Sequence, residues 1–304
     1  MGFLATLIVV GISHLLFGGI NLSLQLVIAL LALLVGIPHG AIDHLISIPR
    51  KPDSRFFSYI IIYTLIAVIA GWMIATWNIN GFRVVLLMSA LHFGFGDASF
   101  RNEQQDARKL SRFSFLTECL YALPAGFLPV MLPMTDSRTL SALMRIHPHL
   151  QFWSGNHTVL FRQIVLVLTV LSLVALILFR RYQLVIDLLL LTALSLVAPP
   201  LVAFAAYFGF WHALRHTARL VPKLPRAQER IAAGDWRKAI TRAVVPGLYA
   251  VIGTLLVAGV LMYANPGKFS SSLLWSTLLI VWALTVPHMM VTARFDLKAM
   301  GKLV

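Results

Sequence analysis

The chain has 304 residues, of which 59% are hydrophobic and 12% charged, with a mean hydropathy of +0.84. A soluble domain usually carries about 25% charged residues, so the composition excludes an ordinary soluble fold and predicts a polytopic membrane protein. The net charge of +14 resides in short loops between apolar runs, where basicity is a topology signal and not a mark of nucleic-acid binding.

About 20 apolar residues cross a bilayer as a helix. That length predicts an all-α transmembrane bundle of about ten spans, near 3–20, 22–46, 57–77, 82–100, 114–133, 158–179, 182–198, 200–220, 243–264 and 271–293. The whole chain, 1–304, reads as one integral-membrane domain without repeats. Residues 1–20 contain no Lys or Arg and so read as an added, retained helix, not a signal peptide. Gly18-Gly19-Ile20-Asn21 separates the first two spans, and Arg180-Arg181-Tyr182 splits a run otherwise too long. Pro199-Pro200 breaks another, because proline lacks the amide a helix interior needs. Residues 221–242 form a basic loop, with a short amphipathic surface helix expected around Ala227–Ala239. Cys119 is the sole cysteine, which leaves no intrachain disulfide and no thiolate cluster.

Orientation follows from the loops. Alternate connections carry Arg50, Lys51 and Arg55, then Arg101, Arg108, Lys109 and Arg112, then Arg180 and Arg181, then the basic loop, and finally Arg294, Lys298 and Lys302. The bias puts these connections and both termini in the cytoplasm, as for a multi-pass protein of the cell inner membrane.

Four of the expected spans carry histidine in apolar surroundings: His39, His92, the pair His212 and His216, and His288. All four spans run from outside to inside, and the histidine depths agree within about one helical turn. Ionisable groups in hydrocarbon are costly and mark functional sites, and histidine is the commonest protein ligand for a metal. His212 and His216 are spaced i, i+4, so both leave one helix face and can chelate one ion. His39 and His92 complete a four-nitrogen site, whose donors suit iron, copper, zinc or nickel.

Carboxylates and aromatics surround this layer. Asp43 lies four residues after His39 and is placed to orient that ring or a neighbouring one. Asp97 is about 140° around the helix from His92, which points it at a ring on another helix. Ligating imidazoles commonly donate their second N–H to such groups; the structural alternative is a pair of boundary ion pairs, Asp43 with Arg50 and Asp97 with Arg101. Pro38 and Pro287 each precede a histidine and kink the helix that carries it. His288 then stands as a ligand, as a group behind the ligands or as part of a substrate pocket. Arg215 reads as snorkelling toward headgroups, and His14 and His44 as packing residues. Phe93, Tyr207, Phe208, Trp211 and Trp282 can wall a cavity for a flat apolar substrate.

Four segments together carry a family resemblance: Gly36-Ile37-Pro38-His39-Gly40-Ala41-Ile42-Asp43, Leu91-His92-Phe93-Gly94-Phe95-Gly96-Asp97, Trp211-His212-Ala213-Leu214-Arg215-His216 and Pro287-His288-Met289. In order and separation they resemble the Brp/Blh family of bacterial and archaeal β-carotene dioxygenases over about residues 30–295. The resemblance implies oxygen-dependent cleavage of β-carotene at its central double bond into two retinals. It also implies ferrous iron, with His39, His92, His212 and His216 as ligands, and lipid, dioxygen and β-carotene as partners. A retinal acceptor such as a rhodopsin would follow. The competing classes are a haem-binding electron carrier, a membrane di-iron hydroxylase or desaturase, and a transporter with a histidine proton relay. Di-iron sites commonly contain adjacent His-His pairs, and this chain has none.

Overall fold

Long apolar runs must satisfy their backbone hydrogen bonds internally, and in a non-closed architecture only the helix does so. The computed structural model describes residues 21–41, 43, 54–264 and 269–299, with Leu7, Ile8 and Gly11 beside them. Among these residues every regular element is helical. Most of the expected first span, with His14 and His44, lies outside the described residues.

In chain order the helices are α1 (Leu22–Ala41), α2 (Ser54–Ala107), α3 (Phe115–Met131), α4 (Ser137–Ile146), α5 (Thr158–Leu178), α6 (Tyr182–Val197), α7 (Pro200–Tyr207), α8 (Ala213–Leu220), α9 (Pro225–Ala232), α10 (Trp236–Ala264) and α11 (Phe269–Ala299). α2, α5, α10 and α11 contain stretches long and apolar enough to cross a membrane, and α3 and α6 are shorter apolar helices. Their outward faces stay apolar, as with Leu171 at 62% and Val260 at 67% exposure. Such faces suit a lipid solvent.

α2 is two limbs. Asn78 takes φ 32° and ψ −83°, a left-handed value that asparagine tolerates better than most residues. An added Cβ on Gly71 would touch Ala283 Cβ at 3.3 Å, while the rings of Phe82 and Trp282 are 5.1 Å apart. Residues on either side of Asn78 thus meet one level of α11, so the limbs run antiparallel. This is the break expected between 57–77 and 82–100.

The second limb crosses α3 with backbones in contact. A Cβ on Gly94 would lie 1.9 Å from Ala122 O, and one on Gly126 would lie 1.8 Å from Ala90 O. Only glycine fits either place, the small-residue approach that membrane helices use where burial of apolar surface gives no drive to associate. α3 starts at Ser114, whose Oγ accepts from Thr117 N at 3.3 Å. α4 starts at Asp136, whose Oδ1 accepts from Arg138 N at 2.9 Å. Both caps satisfy amides that have no partner within the helix.

Two expectations need correction. The segment 200–220 is not one uniform helix: α7 and α8 are joined by a π-helical turn over Phe208–His212. The basic loop likewise lacks a helix running through 227–239. α9 ends at Ala232, and Gly234 is left-handed at φ 75°. α10 then begins at Trp236 and runs without a break to Ala264. Glycine at 234 ends the helix in a conformation that β-carbon-bearing residues avoid.

Candidate active site

Three helical segments bring four imidazoles together. His92 comes from the second limb of α2, His212 and His216 from the π-turn and α8, and His288 from α11. The ring centre of His92 is 5.1 Å from that of His212, 6.2 Å from His216 and 5.1 Å from His288. His216 is 5.4 Å from His288 and 6.1 Å from His212. All four residues are buried.

These spacings can be tested against a shared ion. An imidazole bound at about 2.1 Å holds its ring centre roughly 3.2 Å from the metal, so two ligating rings stand about 4.5–6.4 Å apart for bond angles of about 90–180°. Every ring separation quoted above falls inside that window, and neutral imidazole is the right donor for a first-row metal. Among the described residues no three His, Cys, Asp or Glu side chains are already closed on a single point. The fit therefore lies in ring spacing and donor chemistry. The backbone of His39 belongs to α1; its side chain lies outside the described residues. α1 nonetheless reaches this layer, because a Cβ on Gly40 would be 3.2 Å from His288 Nδ1.

Hydrogen-bonding groups stand behind the rings. Asp43, just past α1, has Oδ2 at 2.7 Å from His288 Nδ1. Among the described side chains, a neighbouring ring, His288, is one that it meets. Asp97 accepts from Tyr207 OH at 3.0 Å and Trp211 Nε1 at 2.9 Å, with Oδ1 at 3.8 Å from His212 Nδ1. It thus faces another helix, as its angular position requires, and Arg101 pairs with Asp187 instead. Thr292, one turn after His288, lies 3.3 Å from His92 Nδ1 and donates to the His288 carbonyl at 3.0 Å. Its hydroxyl has one proton, and the shorter contact uses it. The oxygen is then the acceptor for His92 Nδ1–H.

Arg215 does not snorkel. Its guanidinium lies 3.6 Å above the Trp211 ring centre and reaches Asp187 Oδ2 and Tyr121 OH, each at 3.2 Å. A buried polar network ties it to α3 and α6, because a charge this deep needs partners. A second network closes the bundle one turn beyond His216. Arg219 donates to Asp296 Oδ1 at 2.7 Å and Glu103 Oε2 at 3.0 Å. Lys223 lies 3.7 Å from Glu103, and burial pushes its ammonium pKa below the ordinary lysine value.

Next to the imidazoles is an apolar cavity of about 410 Å³, with His92, His288 and Asp43 in its wall. Phe93, Phe208 and Trp282 line it as expected. Tyr207 and Trp211 do not; buried O–H and N–H groups seek acceptors, and Asp97 supplies theirs. Sequence reasoning missed Thr292 and Arg219. Both were accessible from spacing, since they lie i+4 from His288 and i+3 from His216, on the same helix faces.

Among the described residues, antiparallel and parallel apolar helices, an imidazole layer at ligand spacing and an apolar cavity against it define an all-helical, membrane-type protein with buried imidazoles beside a cavity. Residues 30–296 match the family model described as "Beta-carotene 15,15'-dioxygenase"; the chain belongs to that family of oxygenases, and is an oxidoreductase. It is 25% identical over 273 residues to a beta-carotene 15,15'-dioxygenase of an uncultured marine bacterium, 66A03, a match covering 85% of this chain and 89% of the relative. It is 31% identical over 102 residues to a probable beta-carotene 15,15'-dioxygenase Blh of Halobacterium salinarum, covering 33% and 30% of the two chains. No solved structure matches the chain.

Proposed function

We propose that this enzyme cleaves β-carotene at its central double bond with dioxygen, giving two molecules of retinal, at a non-haem ferrous iron. The observation that carries the reading is the imidazole layer set against an apolar cavity, inside a region whose family match spans all four proposed ligands. His39, His92, His212 and His216 would hold the iron, which when bound supplies the redox chemistry that activates dioxygen.

The remaining steps belong to the protein. The Asp43 carboxylate accepts the Nδ1–H of His288 and fixes that ring against the cavity end. Asp97, held by Tyr207 and Trp211, sets a negative charge beside His212. Phe93, Phe208 and Trp282 give the polyene flat apolar surfaces and keep water out. A hydrocarbon has no group to bond a metal, so shape alone must place its central bond. The buried ion cluster at Arg219 closes the chamber on the side away from the cavity.

The substrate also requires a bilayer setting. In this proposal the chain is a single integral domain of about ten spans in the cytoplasmic membrane, with both termini inside. The alternation of basic loops supports that orientation. Retinal released into lipid would pass to an acceptor such as a rhodopsin. The test is expression in β-carotene-producing bacteria, with retinal and iron measured in one preparation. Retinal together with about one iron per chain and no haem absorption is the expected result. Iron-loaded protein that leaves β-carotene intact would overturn the reading.

A further inference from the structure

The imidazoles stand at one end of the cavity, not at its middle. His92 and His288 form that end, and the opposite end is built by α4 through Thr139, Ala142 and Ile146. Phe82, ten residues before His92 on α2, and Leu278, ten residues before His288 on α11, both line the wall between. At 1.5 Å per residue the α4 end lies at least about 15 Å from the imidazoles. Past the imidazoles, Ser99 and Thr292 are fully buried and the Arg219–Asp296 pair fills the bundle.

One half of β-carotene is nine trans chain carbons and a six-membered ring. With conjugated bonds averaging near 1.4 Å and sp² angles near 120°, each chain carbon advances about 1.2 Å, so the half measures roughly 15 Å. The cavity accommodates one half; even its longest run of lining, from Gly40 to Leu26 on α1 at about 21 Å, falls short of the whole molecule of roughly 30 Å. The other half needs a way out at the histidine end, and Ile60 provides it. Ile60 lines the cavity yet is 40% exposed. Gly71 faces Ala283, and Ile60 lies eleven residues earlier on the antiparallel limb, which puts it at the histidine end of α11. Its exposed neighbours Phe57 and Ile61 continue an apolar surface outward.

We propose that the enzyme holds its substrate asymmetrically: one half in the cavity beneath α4, the other leaving past Ile60 toward lipid. Cavity depth then measures the distance from the ring to the bond that is cut. The inference rests on the carotenoid-cleaving reading above and adds to it the pose and the residues that select the bond.

Two variants test it. Binding to metal-free protein is followed by quenching of tryptophan fluorescence, with β-carotene and with retinal, a half-length probe that needs only the cavity. Ile60→Trp should weaken β-carotene binding at least tenfold more than retinal binding. Ala142→Phe, which shortens the α4 end, should change the products of the iron-loaded enzyme from retinal to pairs of carbonyl compounds of unequal length, an aldehyde with a ketone or with a second aldehyde. Equal effects of Ile60→Trp on both probes would overturn the pose, as would Ala142→Phe enzyme that still gives retinal alone. If Ala142→Phe fails to accumulate, the binding ratio for Ile60→Trp decides. Wild-type enzyme that forms no retinal removes the reading beneath; retinal formation with an unchanged binding ratio removes only the asymmetric pose.

Discussion

Asp43 Oδ2 and His288 Nδ1 meet at 2.7 Å across 245 positions of sequence, and both side chains are buried. The contact joins the end of α1 to the middle of α11 at the cavity floor. A carboxylate on Nδ1–H fixes both the tautomer and the plane of the ring. Replacing Asp43 with Asn releases the His288 ring beside the proposed ligands and should lower turnover by about 10–100-fold, measured as retinal formed per bound iron in the same preparation. Unchanged values per folded molecule would make the pair a structural link only.

His212 and His216 face the same centre from one helix. His212→Ala and His216→Ala should each abolish retinal formation and lower bound iron, while the protein still accumulates in the membrane fraction. Full activity in either variant would exclude that residue as a ligand.

Thr292 sits behind His92. Thr292→Val removes the acceptor for Nδ1–H but keeps the shape, and should weaken iron binding by roughly 10–100-fold. Thr292→Ser should restore it. Nitrogen NMR of histidine-labelled, iron-free protein should show the Nδ1–H form of one imidazole lost in the valine variant and regained in the serine variant. A valine variant with wild-type spectra and iron affinity would remove Thr292 from this role.

Arg219 carries the inner seal. Truncating one partner of a buried ion pair typically costs about 3–5 kcal/mol, whereas replacing both with apolar residues of similar volume is often neutral. Arg219→Ala should therefore lower the melting temperature sharply. The double change Arg219→Met with Asp296→Leu should recover most of it, read by thermal unfolding in detergent. Equal melting temperatures for wild type and Arg219→Ala would show that the pair contributes nothing to stability.

Much of this architecture was legible because its signals are local. Pro199-Pro200 marks the start of α7, and Arg180, left-handed at φ 57°, turns the chain between α5 and α6 where the sequence suggests a break. The common depth of His92, His212, His216 and His288 follows from counting residues along helices of one direction. What stayed hidden depends on rotation about the helix axis and on partners distant in sequence. Tyr207 and Trp211 look like cavity walls by composition, yet their polar atoms turn them toward Asp97. Arg215 looks like a boundary residue until Asp187 and Tyr121 arrive from α6 and α3. Spacing alone puts Thr292 on the face of His288, but the ring it serves stands 200 positions earlier.

The π-turn at Phe208–His212 has a consequence for how the chain tolerates change. Such a turn holds one residue more than the α-helix around it yet completes the same circle, so the extra residue is absorbed locally and the helix beyond keeps its facing. Deleting a single residue within 208–211 would therefore restore regular winding and leave His212 and His216 turned toward His92 and His288. A deletion from the regular winding of 213–215 has no such slack: it would turn His216 about 100° away from its place beside His212. The short segment 208–211 is where this part of the chain can change length without losing its imidazoles.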